Sequence, residues 1–326
     1  MKRLALYTLY DKNGIVKDYV LFYLKELKSL CNEIMVVING EINKEGIRRL
    51  NSLGVKTLCR ENNGFDFSAW RAGLDCIGWN IVKNYDELIL CNCSVYGPIF
   101  SLHESFDKMS KQNCDFWGMT EYRERKEKLM VKGDSESYIR THLQSYFLVF
   151  HKNVIQSEAF QKWWSDLKSS DSFEEEVYEH ETKFTQYLLE NGFNYLSYYN
   201  SRQIWNLSFD EAISLVENRM PFVKRKLFTQ IHGPVISQLS VSVLQIIRKI
   251  SEYDENFIWN DLVGTKSYKH LEKSIRKQKI NIFYIKIRII KYKLFGIFSL
   301  YYRIKLNKTL MIYQSVKKNI YKFISK

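Results

Sequence analysis

"DELILCNCSVYGPIF", residues 86–100, contains the run that decides the fold class. Leu88-Ile89-Leu90-Cys91 is short, apolar at every position, and closed by Asn92, Ser94, Gly97 and Pro98. Apolar runs of this length without polar alternation suit a strand covered on both faces, as in a parallel sheet flanked by helices. Along such a strand Ile89, Cys91 and Cys93 share one face and Asn92 takes the other. Open α/β sheets hold ligands beyond the carboxyl ends of their strands. Here that end carries two thiols, an amide and a hydroxyl. Three readings stay open: a metal site, a metal-free polar site, or the mere end of a strand.

The residues on either side agree with the strand. Upstream, short β-rich runs at residues 4–10, 33–38 and 55–59 alternate with helical patterns at 16–31 and 47–53, and a helix opens near Phe67. Val20, Leu21, Leu24, Leu27 and Leu30 give the first helix its apolar face. This β-α-β-α order predicts an α/β fold, Rossmann-like, with a mostly parallel sheet and helices on both faces. Downstream, strands are expected at 115–119 and 144–150, separated by a charged surface loop or lid over 121–137. Helices follow at 158–167 and 182–190, the second stopped by Asn191-Gly192. The expected organisation is a body over 1–235, a connection over 236–265 and a basic α-helical extension over 266–326.

Charge separates the body from the extension. The chain of 326 residues carries +13, yet its last 61 residues hold seventeen Lys and Arg against the single acid Glu272. The preceding residues are therefore slightly acidic, so a partner inferred from charge belongs to the extension alone. Residues 280–302 are interrupted by Lys286, Arg288, Lys291 and Lys293, which argues against a bilayer span and for a segment lying on an anionic membrane surface. No nucleic-acid motif accompanies the charge, so nucleic acid is not an expected partner. Residues 4–10 meet Asp11 before completing a signal-peptide apolar region, so six free cysteines in a reducing cytoplasm are expected.

Polar groups concentrate where the third strand joins the next helix, at Arg60-Glu61-Asn62-Asn63-Gly64-Phe65-Asp66. Asn-Gly permits a sharp turn, and the helix N-terminus beyond it offers N–H groups to an anion. Asp66 suits a ribose hydroxyl, a metal, or the helix's own N–H groups. Together with Tyr10-Asp11-x-x-Gly14, Asn39-Gly40, Asn92-x-Ser94-x-Tyr96-Gly97-Pro98, Asp115-Phe116-Trp117-Gly118, Gln144-Ser145-Tyr146-Phe147 and Pro221-Phe222-x-Lys224-Arg225, this segment resembles the rhamnan synthesis protein F family. The landmarks run in family order from about residue 4 to 230, leaving the extension outside.

The resemblance implies a GT-A-like glycosyltransferase of bacterial surface-polysaccharide assembly, peripheral at the cytoplasmic face of the cell membrane. Its donor would be a nucleotide sugar such as dTDP-L-rhamnose and its acceptor a lipid-linked glycan. Asp11, Asn39, Arg60, Glu61, Asn63, Gly64, Asp66, Asn92, Ser94, Lys224 and Arg225 are the donor-binding candidates. His142 and Gln144 are candidates for contacting the acceptor. Inversion at the anomeric carbon needs a carboxylate base, for which Asp115 and Glu121 are the candidates. Trp70, Trp117, Trp163 and Trp164 could stack on sugars or fill the core. The family usually has Asn-Asp-Ser where this chain has Asn92-Cys93-Ser94. A thiol is a poor ligand for Mg²⁺ or Mn²⁺, so such a metal, held by Asp66 or Asp115, and a metal-independent site both stay open. Cys91 and Cys93 read as buried free thiols, since no second C-x-C or C-x-x-C supplies a zinc set. Two rivals remain: a non-catalytic binding protein of the same fold, and a membrane adaptor whose body is a scaffold.

Overall fold

The computed structural model describes residues 1–126, 138–199, 206–230 and 234–277. Its centre is an eight-stranded sheet. β1 (Arg3–Leu9), β2 (Glu33–Asn39), β3 (Lys56–Arg60) and β4 (Glu87–Asn92) are all parallel, in the order β3-β2-β1-β4. Beyond β4 lies the antiparallel strand Phe147–His151, then β6 (Phe116–Tyr122) and Tyr195–Tyr199, with His142–Leu143 paired to the end of β6. All six residues of β4 are buried, as the unalternating run predicts. A two-residue strand, β5 (Val95–Tyr96), leaves the sheet and pairs with Val223–Lys224.

The connections place the site. From β1 the chain winds outward through α1 (Asp18–Lys28), β2, α2 (Lys44–Ser52) and β3, then returns through α3 (Phe65–Ile77) to set β4 on the other side of β1. The winding direction reverses between β1 and β4, so their carboxyl ends open a crevice. α3 buries Phe67, Trp70, Leu74 and Ile77, spaced for one helical face, against an aromatic core with Trp164, Phe184, Phe150 and Phe160. Gly64 caps α3 in the left-handed region (φ 61°), and a Cβ there would stand 2.1 Å from Ser68 Oγ. Only glycine fits that turn.

The later chain departs from expectation in several places. A π-helical turn, Glu176–Glu181, precedes the expected helix Thr182–Glu190, and Tyr195–Tyr199 adds a strand. Segment 236–265, read as a connection, contains most of the helix Pro234–Ile250 and all of Asn256–Leu262. Phe257 packs on Phe22 of α1 at 5.0 Å between ring centroids. Lys266–Lys277, read as the start of the extension, is a helix with Leu271 buried. Of the expected loop, Glu121 and Tyr122 belong to β6, and 127–137 lie outside the described residues, as does the basic stretch from 278 onward. No helix among the described residues is long and apolar enough to cross a membrane.

Candidate functional site

The carboxyl ends of β1–β4 form two layers of polar contacts. The outer layer shapes loops. Asn39, buried at the end of β2, donates through Nδ2 to the Phe65 carbonyl (3.1 Å) and accepts from Arg60 Nη1 (2.6 Å). Arg60 also donates to the Asn63 carbonyl (2.9 Å) and Oδ1 (2.6 Å), which closes the turn before α3. Asp11 accepts from the backbone N–H groups of Asn13 (2.9 Å) and Ile15 (3.2 Å), fixing the turn after β1. Glu61 stands exposed on the rim. These residues lie at the expected edge, but Asn39, Arg60, Asn63 and Asp11 act through the backbone they hold.

The inner layer carries the chemistry. Asp66 Oδ2 accepts from Asn92 Nδ2 (2.7 Å), and Asn92 Oδ1 accepts from Ser94 Oγ (2.6 Å) and its N–H (3.1 Å). Ser94's carbonyl in turn accepts from the N–H of Arg225 (2.9 Å), joining the end of β4 to the returning 223–225 segment. Beside this chain, Lys224 holds its ammonium 4.0 Å above the Tyr146 ring. Glu181 Oε1 accepts from the N–H (2.7 Å) and Oγ (3.0 Å) of Ser145. Burial pushes the Asp66 carboxyl up to about 6; the Glu181 charge adds to the rise, and Asn92 and Lys224 oppose it. Burial lowers Lys224 to about 8, against the pull of Glu181 and Asp66. Two carboxylates, one cation and a polar strand end therefore share one electrostatic environment.

Several expectations are corrected. At the N-terminus of α3 a carboxylate of the chain itself already takes one N–H: Glu176 accepts from the Phe67 N–H (3.0 Å) and from Ser170 Oγ (2.9 Å). Its carboxyl is pushed up to about 7, chiefly by burial. Arg225 turns its guanidinium away to a two-point pair with the buried Asp261 (2.6 and 3.0 Å), which Tyr96 Oη also engages (2.6 Å). Asp115 lies at the amino end of β6, across the sheet from the crevice, accepting from Asn153 Nδ2 (2.6 Å) and from Asn194 N–H (2.7 Å) and Nδ2 (2.6 Å). It is therefore placed neither for the base nor for a metal.

Glu121 is at the carboxyl end of β6 but buried, bound by Tyr195 Oη (2.8 Å) and paired with Arg123 (3.4 Å). His142 is buried, its Nδ1 2.7 Å from the Arg140 carbonyl and its ring stacked on Tyr122. Gln144 is buried too, accepting from Thr120 Oγ1 (2.8 Å) and Ser208 Oγ (2.7 Å). Both residues fix the strand that delivers Ser145 and Tyr146, and neither presents a group to an acceptor. Trp70, Trp117 and Trp164 are fully buried, and Trp163 packs partly buried against the same core.

The metal reading meets the donor set directly. Cys93, half-buried, contacts the Tyr10 backbone (3.5 Å to N, 3.6 Å to O), and burial raises its pKa, keeping it a neutral thiol. Among the described residues no group of three or more His, Cys, Asp or Glu is arranged to hold a metal. The residues present do not fit a Mg²⁺ or Mn²⁺ site at the position of the family's usual carboxylate.

Glu181 and Glu176 were missed from sequence, because a π-helical turn has no residue signature. The glutamate-rich run 174–181 was the one available hint.

The chain is similar to proteins of several organisms. It is 23% identical over 201 residues to the uncharacterized protein y4gN of Sinorhizobium fredii, covering 62% of this chain and 49% of that one. It thus spans about half the length of the curated relative it matches. Among solved structures, the glycosyltransferase GlyE of Streptococcus pneumoniae overlaps 80% of this chain and 63% of its own, at 12% identity and TM-score 0.39. Glucosyl-3-phosphoglycerate synthase of Mycobacterium tuberculosis, in complex with phosphoglyceric acid, overlaps 47% of this chain and 57% of its own, at 11% identity and TM-score 0.31. The family model for rhamnan synthesis protein F matches residues 34–325, starting after the Tyr10-Asp11 landmark and reaching through the basic extension, which the motifs alone had left outside. With most of its length matched, the chain belongs to the rhamnan synthesis protein F family.

Proposed function

We propose that the chain is a glycosyltransferase that moves a sugar from a nucleotide diphosphate donor to a glycan acceptor at the crevice beyond β1 and β4. The observation that carries this reading is the convergence of Asp66, Asn92, Ser94, Lys224 and Glu181 on one edge of the sheet. Lys224 is the fixed cation. Within the field of Glu181 and Asp66 and protonated below about pH 8, it faces the charge that develops on a departing diphosphate. Asp66 and Asn92 orient the donor's hydroxyls. Glu181 takes the acceptor's hydroxyl proton as the anomeric carbon is attacked: Ser145 holds Oε1, and Oε2 has no hydrogen-bond partner among the described residues. This assigns to Glu181 the role first considered for Asp115 and Glu121.

The donor sugar on this reading is L-rhamnose carried on dTDP, the transfer inverting, and the acceptor a lipid-linked polysaccharide. Family membership supports all three. The basic extension would hold the protein on the anionic inner face of the bacterial membrane. A panel of nucleotide sugars with a lipid-linked acceptor, run with Mn²⁺, with Mg²⁺ and with chelator, tests the proposal. Transfer from dTDP-L-rhamnose that survives chelation is expected. Nucleotide binding without turnover of any donor would instead favour a non-catalytic binding protein, the reading that the Cys93 substitution supports.

A further inference from the structure

Two exposed aromatic side chains meet at the mouth of the crevice, whereas Trp70, Trp117 and Trp164 are in the core. Phe65 is 37% exposed and Phe173 is 51% exposed, with their rings 6.3 Å apart and nearly perpendicular. Phe65 immediately precedes Asp66 and has φ +47°, a left-handed conformation that costs a residue with a Cβ about 1–2 kcal/mol. The hydrogen bond from Asn39 Nδ2 to its carbonyl helps hold it there. Phe173 lies at the start of the run that leads to Glu176 and Glu181. Lys226, two residues after Lys224, reaches across to place its ammonium 4.3 Å from the Phe173 ring. The pair is thus tied to both walls of the site.

We infer that Phe65 and Phe173 form the subsite for the acceptor glycan, stacking against the C–H face of a pyranose ring; this deepens the glycosyltransferase reading and rests on it. Aromatic faces carry partial negative charge and attract the polarised C–H groups of a sugar. The rim beside the rings presents the exposed Glu61, Asn62 and Asn63. A carboxylate and two amides between them accept from and donate to hydroxyls, the groups that surround a sugar ring. Two rings offer far less than the roughly 800 Å² per side of a stable protein interface, so a small ligand fits them better than a protein does. The perpendicular arrangement makes an angled wall suited to one face of a chair, not the parallel slot that would sandwich a nucleobase.

The test uses the full-length protein, a short α-linked oligorhamnoside and dTDP, with affinities measured by titration calorimetry and saturation-transfer NMR. Phe173→Ala and Phe65→Asn, the latter tolerating a left-handed backbone, should each weaken oligorhamnoside binding about tenfold while leaving dTDP affinity unchanged and without lowering the melting temperature. Unchanged oligorhamnoside affinity in both variants would overturn the subsite. So would a loss confined to dTDP, which would make the rings a base platform. Wild-type protein that binds dTDP but no oligorhamnoside would remove the subsite and leave the donor site standing, whereas binding of neither would remove both.

Discussion

The two edges of the central sheet each carry a buried or half-buried aspartate beside an asparagine, and they do different work. At the amino edge, Asp115 accepts three hydrogen bonds, from Asn153 and twice from Asn194. At the carboxyl edge, Asp66 accepts from the Asn92 side chain among the described residues, and its carboxyl is pushed up to about 6. A carboxylate engaged by donors on both oxygens is a structural clamp, since most of its accepting capacity is already used in holding the fold. A carboxylate that burial has left short of donors is unstable where it is and available to a ligand. The contrast shows that the availability of an acid depends on its donors and its edge of the sheet, not on its neighbours in the chain.

The largest effect expected from this contrast is at Glu181. Glu181→Gln keeps the size and the Ser145 contacts but cannot take a proton, so kcat should fall about 10²–10⁴-fold with donor affinity retained. Steady-state kinetics with saturating acceptor would show it, and a change confined to KM would break the assignment. Next comes the support behind the site. Asp261→Ala leaves the half-buried Arg225 without its counter-charge, which should destabilise the fold by about 1.5–3 kcal/mol in chemical denaturation. Asp115→Ala should lower stability by about 1–3 kcal/mol and leave the turnover of the remaining folded enzyme unchanged.

The smallest effects sharpen the comparison through pH. Ionised Asp66 requires pH above about 6 and charged Lys224 requires pH below about 8, so the rate should be bell-shaped between those values. Lys224→Arg should move the alkaline limb upward, because a guanidinium stays charged. Stability gives the sign independently. The folded state holds the Asp66 proton more tightly than the unfolded chain, whose carboxyl titrates near ~3.9. Stability contributed by the neutral acid is therefore lost as pH rises through about 6. Asp66→Asn should escape that loss and melt about 2–4 °C higher at neutral pH, while binding nucleotide less tightly.

Much of the carboxyl edge was legible because strands and turns leave local marks. The apolar run at Leu88–Cys91, the β-branched Val36-Val37-Ile38 and the Asn63-Gly64 turn each announce their own geometry. The order β3-β2-β1-β4 then brings Asn39, Arg60, Asp66 and Asn92 to one edge. What was hidden depends on tertiary partners. Nothing in Lys224-Arg225 says that the first faces Tyr146 while the second turns to Asp261, because Asp261 lies in a helix 36 residues further on. Asp115 and Glu121 flank one strand, yet that strand carries them to opposite ends, and sequence spacing cannot say which end opens on the crevice. The aromatic signal misled in the same way: Trp70, Trp117 and Trp164 were the conspicuous rings, but they fill the core, and the exposed rings that pack on each other are phenylalanines in a left-handed turn and a short helix.

The central claim is that the donor sits at the carboxyl edge against Lys224. Titration of dTDP into the wild-type protein, Lys224→Ala and Asp115→Ala tests it most directly. The account predicts at least about tenfold weaker binding for Lys224→Ala, as expected on removing a charge-assisted contact, and unchanged binding for Asp115→Ala. Wild-type affinity in folded Lys224→Ala protein, or binding lost in folded Asp115→Ala protein, would contradict it.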